Sequence, residues 1–214
     1  MPRCWGPWVF VAIDDLLRPL YPHLTATDQC YFLREYTAGR GYTGSETNHL
    51  ILNLKKPPDR RGKPEWRYKE RAIEQVAREF RASVNLAALR RVTLVPMPPS
   101  KAKRDPLYDD RMLHMLRVMD EEHLLDIREL LAIQDSTDAA HTTTTRPTVA
   151  ALIANLEVDD TLAHPAPRSI ALVDDVLTTG AHFVAAKTVL ATRFPGVPIR
   201  GLFVARRVFD DETL

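Results

Sequence analysis

The 214 residues carry 29 lysines and arginines against 28 aspartates and glutamates, a formal charge of +1. That balance lacks the basic excess that usually marks a nucleic-acid-binding chain, so no nucleic acid is expected and any anion site must be local. With 45% hydrophobic residues the chain can bury a core, and its length suits one domain or one domain with an appended lobe.

Residues 1–25 mix Trp5, Trp8 and Phe10 with four prolines, which reads as a packed N-terminal arm. The apolar stretch 5–13 is too short to span a bilayer and runs into Asp14-Asp15, so neither a membrane anchor nor a secretory signal is expected. Only two cysteines occur, Cys4 and Cys30, without metal-ligand spacing. A reduced, cytoplasmic setting is the expectation, with a disulfide between them left open. From Thr27 the spacing of Cys30, Phe32, Leu33 and Tyr36 predicts a helix. A second helix is predicted over 49–55, stopped by Pro57-Pro58, and a third over 67–81 on the stripe Ala72, Ile73, Val76, Ala77 and Phe80. Residues 1–90 thus read as a lobe of three helices with no strand of comparable strength.

The first strong strand signal is 92–95, which enters a stiff basic loop, Pro96 to Arg104, and then a helix over 110–119. Its methionines are read as core packing. A strand is expected over 127–133. The next stretch, 134–147, has neither apolar period and is long for a loop in a compact domain, which suits a functional lid or a disordered link. A helix over 148–156 and a connection over 159–168 lead to a strand at 170–173, a helix at 181–192 and a last strand at 199–205. This βαβ alternation predicts an α/β fold over 91–214 with a doubly wound, mainly parallel sheet.

The stretch 169–182, SIALVDDVLTTGAH, concentrates the chemistry. Its apolar run stops at Asp174 and Asp175, and Thr178, Thr179 and Gly180 follow at once and open a helix. Ionised carboxylates that accept hydroxyl hydrogen bonds would therefore stand beside backbone N–H groups and the positive end of a helix dipole, which suit a phosphate. Two acids after a strand are by themselves no more than a solvated strand end or a cap. The order of strand, acids and phosphate loop carries the reading. The stretch resembles the phosphoribosyl-diphosphate (PRPP) motif of type I phosphoribosyltransferases. Residues 95–111 are similar to the ComF-like branch of that family, with Val95-Pro96-Met97-Pro98, then Ser100 and Lys101, then Arg111. His182 departs from the pattern, standing where the family usually has a hydroxyl.

The resemblance implies a phosphoribosyltransferase-like core at 91–214 that binds PRPP and Mg²⁺ and transfers phosphoribosyl to a nucleobase or related nitrogen acceptor, releasing diphosphate, as an enzyme of nucleotide metabolism. Asp174 and Asp175 would anchor the ribose hydroxyls and attract hydrated magnesium. Val176, Leu177, Thr178, Thr179, Gly180 and His182 would hold the 5′-phosphate. Ser100, Lys101 and Arg111 would hold the diphosphate, with Lys103 and Arg104 as further cations. Arg146, the one permanent cation of the 134–147 lid, would complete the catalytic set with the two acids, and His141 is a weaker candidate there. For the acceptor, Tyr36, Arg40, Tyr42, Asn48 and Lys55 are candidates without a recognisable base fingerprint. The alternative is a non-catalytic module that senses PRPP or a nucleotide on the same fold. A third reading makes the helical lobe an interface in a homo-oligomer or larger assembly. No pair of histidines has the spacing of a transition-metal site.

Overall fold

The computed structural model describes residues 9–137 and 147–208. A short edge strand, β1 (Val11–Ala12), and a longer one, β2 (Cys30–Thr37), precede α1 (Glu46–Leu54), α2 (Trp66–Ser83) and the single turn α3 (Leu86–Leu89). Then come β3 (Thr93–Pro96), α4 (Arg111–Met119), β4 (Asp126–Ile127), β5 (Leu131–Ile133), α5 (Val149–Asn155), β6 (Leu156–Val158), β7 (Ile170–Leu177), α6 (Ala181–Arg193) and β8 (Ile199–Val208). Six strands form one sheet in the order β1-β2-β8-β7-β3-β4, parallel throughout except for the β1–β2 pair. β5 and β6 form a separate antiparallel pair.

Strands buried on both faces read as continuous apolar runs because successive side chains go to opposite sides. In β7, Ala171 and Val173 join one core with Leu50, Ile51, Leu54, Val76, Phe80 and Met115 from α1, α2 and α4. Ile170 and Leu172 join a second core with Tyr21, Leu24 and the α6 residues Phe183, Ala186 and Leu190. Leu94 and Val95 in β3 divide the same way. The protein is therefore α/β, a mainly parallel mixed sheet between helical layers. Each fully buried side chain such as Phe80 or Phe183 contributes about 1.5–3 kcal/mol by leaving water.

The chain departs from expectation in its first part. Residues 30–37 are a strand, not a helix, and pair in parallel with β8 from Cys30↔Gly201 to Thr37↔Val208. The apolar positions fit either period, and the aromatic and β-branched content of CYFLREYT with pairing along β8 decides for strand. Phe32 enters one core and Leu33 the other, so the segment is buried on both faces. Residues 1–90 are accordingly not purely helical: they supply two strands to the main sheet, and α1 and α2 share a core with β3 and β7. The single strand expected at 127–133 is divided between two sheets. At the division Arg128 still bonds β3 through its N–H to the Leu94 carbonyl (3.0 Å), and its side chain donates to both oxygens of Asp126 (2.6 and 2.9 Å) and to the carbonyls of Leu162 (3.1 Å) and Pro165 (2.6 Å). Cys30 is a buried free thiol, pushed up to about 12 by burial, and Cys4 lies outside the described residues. Among the described residues no helix is long and apolar enough to cross a membrane.

Candidate active site

The carboxyl ends of β3 and β7 lie side by side, since Pro96 pairs with Val173, and the loops leaving them build the site. In open α/β sheets such a crevice is where ligands sit. β7 runs further than its apolar residues suggest, to Leu177, so Asp174 and Asp175 stand inside the strand and not at its end. Val176 and Leu177 consequently belong to the ladder with Ala205 and Arg206, and the free turn is confined to Thr178–Gly180. The pairing lapses in one row across three strands: Leu33, Val204 and Asp175 are each skipped. The register is the same on both sides of the gap, so no residue is inserted in any of the three strands.

Asp175 is 3% exposed and fully engaged. Its Oδ2 accepts from Arg111 Nη2 (2.6 Å) and Nε (2.9 Å), while Lys55 Nζ lies 2.9 Å from Oδ1. Burial works against ionisation, but Lys55 and Arg111 outweigh it and hold the carboxyl far below its usual range. Arg111, at the start of α4, also donates to Asp109 Oδ2 (2.9 Å). That same oxygen accepts from Lys69 Nζ (2.8 Å), whose other donors go to the carbonyls of Leu54 and Lys56, each at 2.8 Å. Burial lowers the Lys69 pKa, and Asp109 opposes it. A continuous chain of ion pairs thus runs Lys69–Asp109–Arg111–Asp175–Lys55.

Asp174 differs in every respect. It is half-buried, and among the described residues its only side-chain hydrogen bond is from the Asp175 amide to Oδ1 (2.7 Å). Burial, then the neighbouring Asp175 charge, pushes its pKa well above the ordinary carboxylate range, partly offset by Lys55 and Arg111. The ion-pair chain itself holds three cations, Lys55, Lys69 and Arg111, against two carboxylates, Asp109 and Asp175.

Beyond the acids, Gly180 caps α6 at φ +85°, a left-handed conformation that favours glycine. A Cβ there would lie 2.7 Å from Leu24 Cδ2. The backbone N–H of His23 donates to the Thr179 carbonyl (3.2 Å). The N-terminal arm therefore fixes the turn from below, a role its sequence gives no sign of. The Val184 N–H bonds Gly180 O at 2.9 Å, while the Ala181 N–H reaches only the Thr179 hydroxyl at 3.4 Å. The first turn of this 13-residue helix thus retains the amide geometry that binds anions. His182 is exposed there and lies within electrostatic range of Asp175 and Lys55.

The loop after β3 is stitched to the start of the long 134–147 segment. The Ala102 N–H donates to Ser136 Oγ (3.0 Å), Ser136 donates to Asp105 (2.7 Å), and the Thr137 N–H donates to the Ser100 carbonyl (2.8 Å). Lys101 belongs to the same loop. Lys103 and Arg104 are paired with Glu129 (3.4 Å) and Asp135 (3.0 Å). Arg146 and His141 lie outside the described residues. Among the described residues no cluster of three histidine, cysteine or acidic groups could hold a metal. Magnesium needs no such cluster, since it keeps several waters and binds through one or two carboxylates with substrate phosphates. Asp174 fits that role. Asp175 meets it only after releasing Lys55 or Arg111.

The site thus brings together Asp174, Asp175, Arg111 and the 178–180 turn. Lys69 and Asp109 were missed, although Lys69 carries a sequence signal: it is in phase with Ala72, Ile73, Val76 and Phe80 on the buried stripe of α2. A lysine at such a position needs partners. No protein-family model matches the chain, and a search of curated proteins gives no match either.

Proposed function

We propose that the crevice binds PRPP with Mg²⁺ and transfers its phosphoribosyl group to a nitrogen acceptor, on a type I phosphoribosyltransferase-like form of the α/β fold. One observation carries this reading. A half-buried acid of raised pKa and a charge-locked acid occupy successive positions on a central parallel strand, three residues before a left-handed glycine turn and a helix N-terminus. Few ligands need hydroxyl acceptors and phosphate donors at that spacing, and a phosphorylated ribose does.

In the transfer, the acceptor nitrogen forms a bond to the anomeric carbon as the bond from that carbon to diphosphate oxygen breaks, and the diphosphate leaves with the electron pair. Asp174 accepts hydrogen bonds from the ribose hydroxyls, orienting the ring. The Thr178–Gly180 turn and the first amides of α6 hold the 5′-phosphate. Arg111 and Lys55 place fixed positive charge beside Asp175, where it opposes the charge that gathers on the leaving group. Magnesium, when bound, neutralises diphosphate charge. The basic loop 100–104 and Arg146 are the remaining cations assigned to the diphosphate.

A specific observation favours the alternative of a sensing module. Both oxygens of Asp175 are taken by protein cations, and Lys103 and Arg104 are also paired. These charges must be released before they serve a ligand, and the described arrangement is therefore not yet set for transfer. Incubation with PRPP, Mg²⁺ and a panel of nucleobases separates the two readings. Acceptor-dependent diphosphate release supports transfer, saturable PRPP binding without release supports sensing, and absence of PRPP binding removes both.

A further inference from the structure

A recess of about 440 Å³ opens between the first turns of α2, the 58–62 turn and the Tyr108–Asp110 segment before α4. It is lined by neither Asp174 nor Asp175, and its volume is in the range of small-molecule sites. Two aromatic rings form part of its wall. Tyr108 is held by its hydroxyl, which donates to Glu129 (3.0 Å). Trp66 presents a face that already attracts cations: the Arg61 guanidinium is 5.3 Å from the ring centroid and the Lys69 ammonium 5.6 Å. Arg61, on the exposed turn, is a planar group rich in N–H donors resting on that face.

Three carboxylates, Glu70, Asp109 and Asp110, line the recess beside the donor groups of Arg61 and His114. The Lys69 ammonium, with three donors, already meets Leu54 O, Lys56 O and Asp109 Oδ2. Asp109 lines the recess, and the bonds it accepts from Lys69 and Arg111 both go to Oδ2. The carboxylates of Glu70 and Asp110 make no hydrogen bond or ion pair among the described residues, and Asp110 does not cap α4. Asp110 lines the recess. Carboxylate acceptors around an electron-rich indole call for a flat ligand that donates.

We propose that this recess is a second small-molecule site, for a planar heteroaromatic bearing amino or ring N–H donors, which stacks on Trp66 in place of Arg61 and donates to Asp109, Asp110 and Glu70. The site goes beyond the phosphoribosyl reading and stands without it, because binding requires no PRPP.

The test is calorimetry of the full chain, without PRPP, using two probe pairs that differ by an amino group: cytosine against uracil, and adenine against hypoxanthine. Cytosine and adenine are expected to bind at least about tenfold more tightly than their oxo partners, since acceptors left without a donor are costly. Asp110→Asn should remove most of that preference. Arg61→Ala should tighten binding by about two- to five-fold, because the competing cation–π contact is gone. Trp66→Leu should abolish binding. Equal affinity within each pair, no saturable binding of either amino probe, or binding unaffected by Arg61→Ala overturns the proposal. Arg61 and Asp110 are exposed, so their variants decide the matter even where Trp66→Leu fails to fold.

Discussion

Two buried ion-pair systems draw on α2, and they treat the buried charge in opposite ways. Arg34 and Glu79 meet at two points, Nε to Oε2 at 2.8 Å and Nη2 to Oε1 at 2.6 Å, with side chains almost equally hidden at 6% and 7%. Gln75 adds a donor to Oε1 (3.0 Å). Each charge answers the other, Arg34 also reaches the Thr47 hydroxyl (3.5 Å), and the pair ties β2 to α2. Ten residues earlier on the same helix, Lys69 begins the chain that ends at Asp175 and Lys55, beside an acid whose ionisation is disfavoured. A closed pair supports a structural role. An open chain that ends next to a half-exposed acid, a glycine turn and a helix N-terminus supports a ligand site.

The largest effect should come from opening the closed system. Glu79→Ala takes the bidentate carboxylate away from the buried Arg34, and removal of one member of a buried pair costs about 3–5 kcal/mol. Replacing both, as Arg34→Met with Glu79→Leu, should cost far less. Urea denaturation of the three proteins measures this, and a single variant as stable as the double one would show that the pair is not what joins β2 to α2. In the open system the effect should appear in ligand binding. Asp175→Asn should weaken PRPP binding by about 1–3 kcal/mol, as loss of charge-assisted hydrogen bonds does. Unchanged affinity by calorimetry would remove the central assignment of the crevice.

The two systems also differ in how far they can be read from the chain. Asp174, Asp175, Thr178, Thr179 and Gly180 are contiguous, so a local pattern carries them, and Arg111 lies within a second local pattern. The strand at 30–37 was hidden because its apolar positions satisfy two periods at once; only the parallel partner 171 residues away, β8, chooses between them. Arg34–Glu79 and Lys69–Asp109 join residues 45 and 40 apart, and no spacing rule connects them. The burial of Lys69 and Glu79 was nevertheless implied by their phase on α2, where a charged residue on an apolar stripe demands a counter-charge. The extension of β7 through Leu177 escaped because two carboxylates look like the end of a strand, and the cations that make them tolerable inside it come from α1 and α4.

A smaller loss should follow from Gly180→Ala. The φ of +85° costs an L-residue about 1–2 kcal/mol, and contact with Leu24 adds to it. Thermal denaturation should show the loss, and PRPP affinity should fall with it, since the turn and the helix start would shift together. A variant of wild-type stability and affinity would mean that the turn is not held against the N-terminal arm.

The smallest effect distinguishes the two acids by the sign of their pH dependence. Asp175 has a depressed folded pKa, so its stabilising contribution is present above the unfolded value of about 3.9 and is lost only as pH falls through the lower folded value. Asp174 has a raised folded pKa. Between about 3.9 and that higher value the folded state binds more protons than the unfolded one, so stability declines as pH rises through this window. Asp174→Asn removes the decline. Relative to the wild type, the variant should gain on the order of 1 kcal/mol as pH is raised across the window, each pKa unit being worth about 1.4 kcal/mol. Asp175→Asn should show no such gain and should instead lose its disadvantage towards acid. Denaturation curves over a pH series measure both variants together. Parallel profiles for the wild type and Asp174→Asn would show that Asp174 titrates alike in the folded and unfolded chain, and the contrast drawn between the two acids would fall.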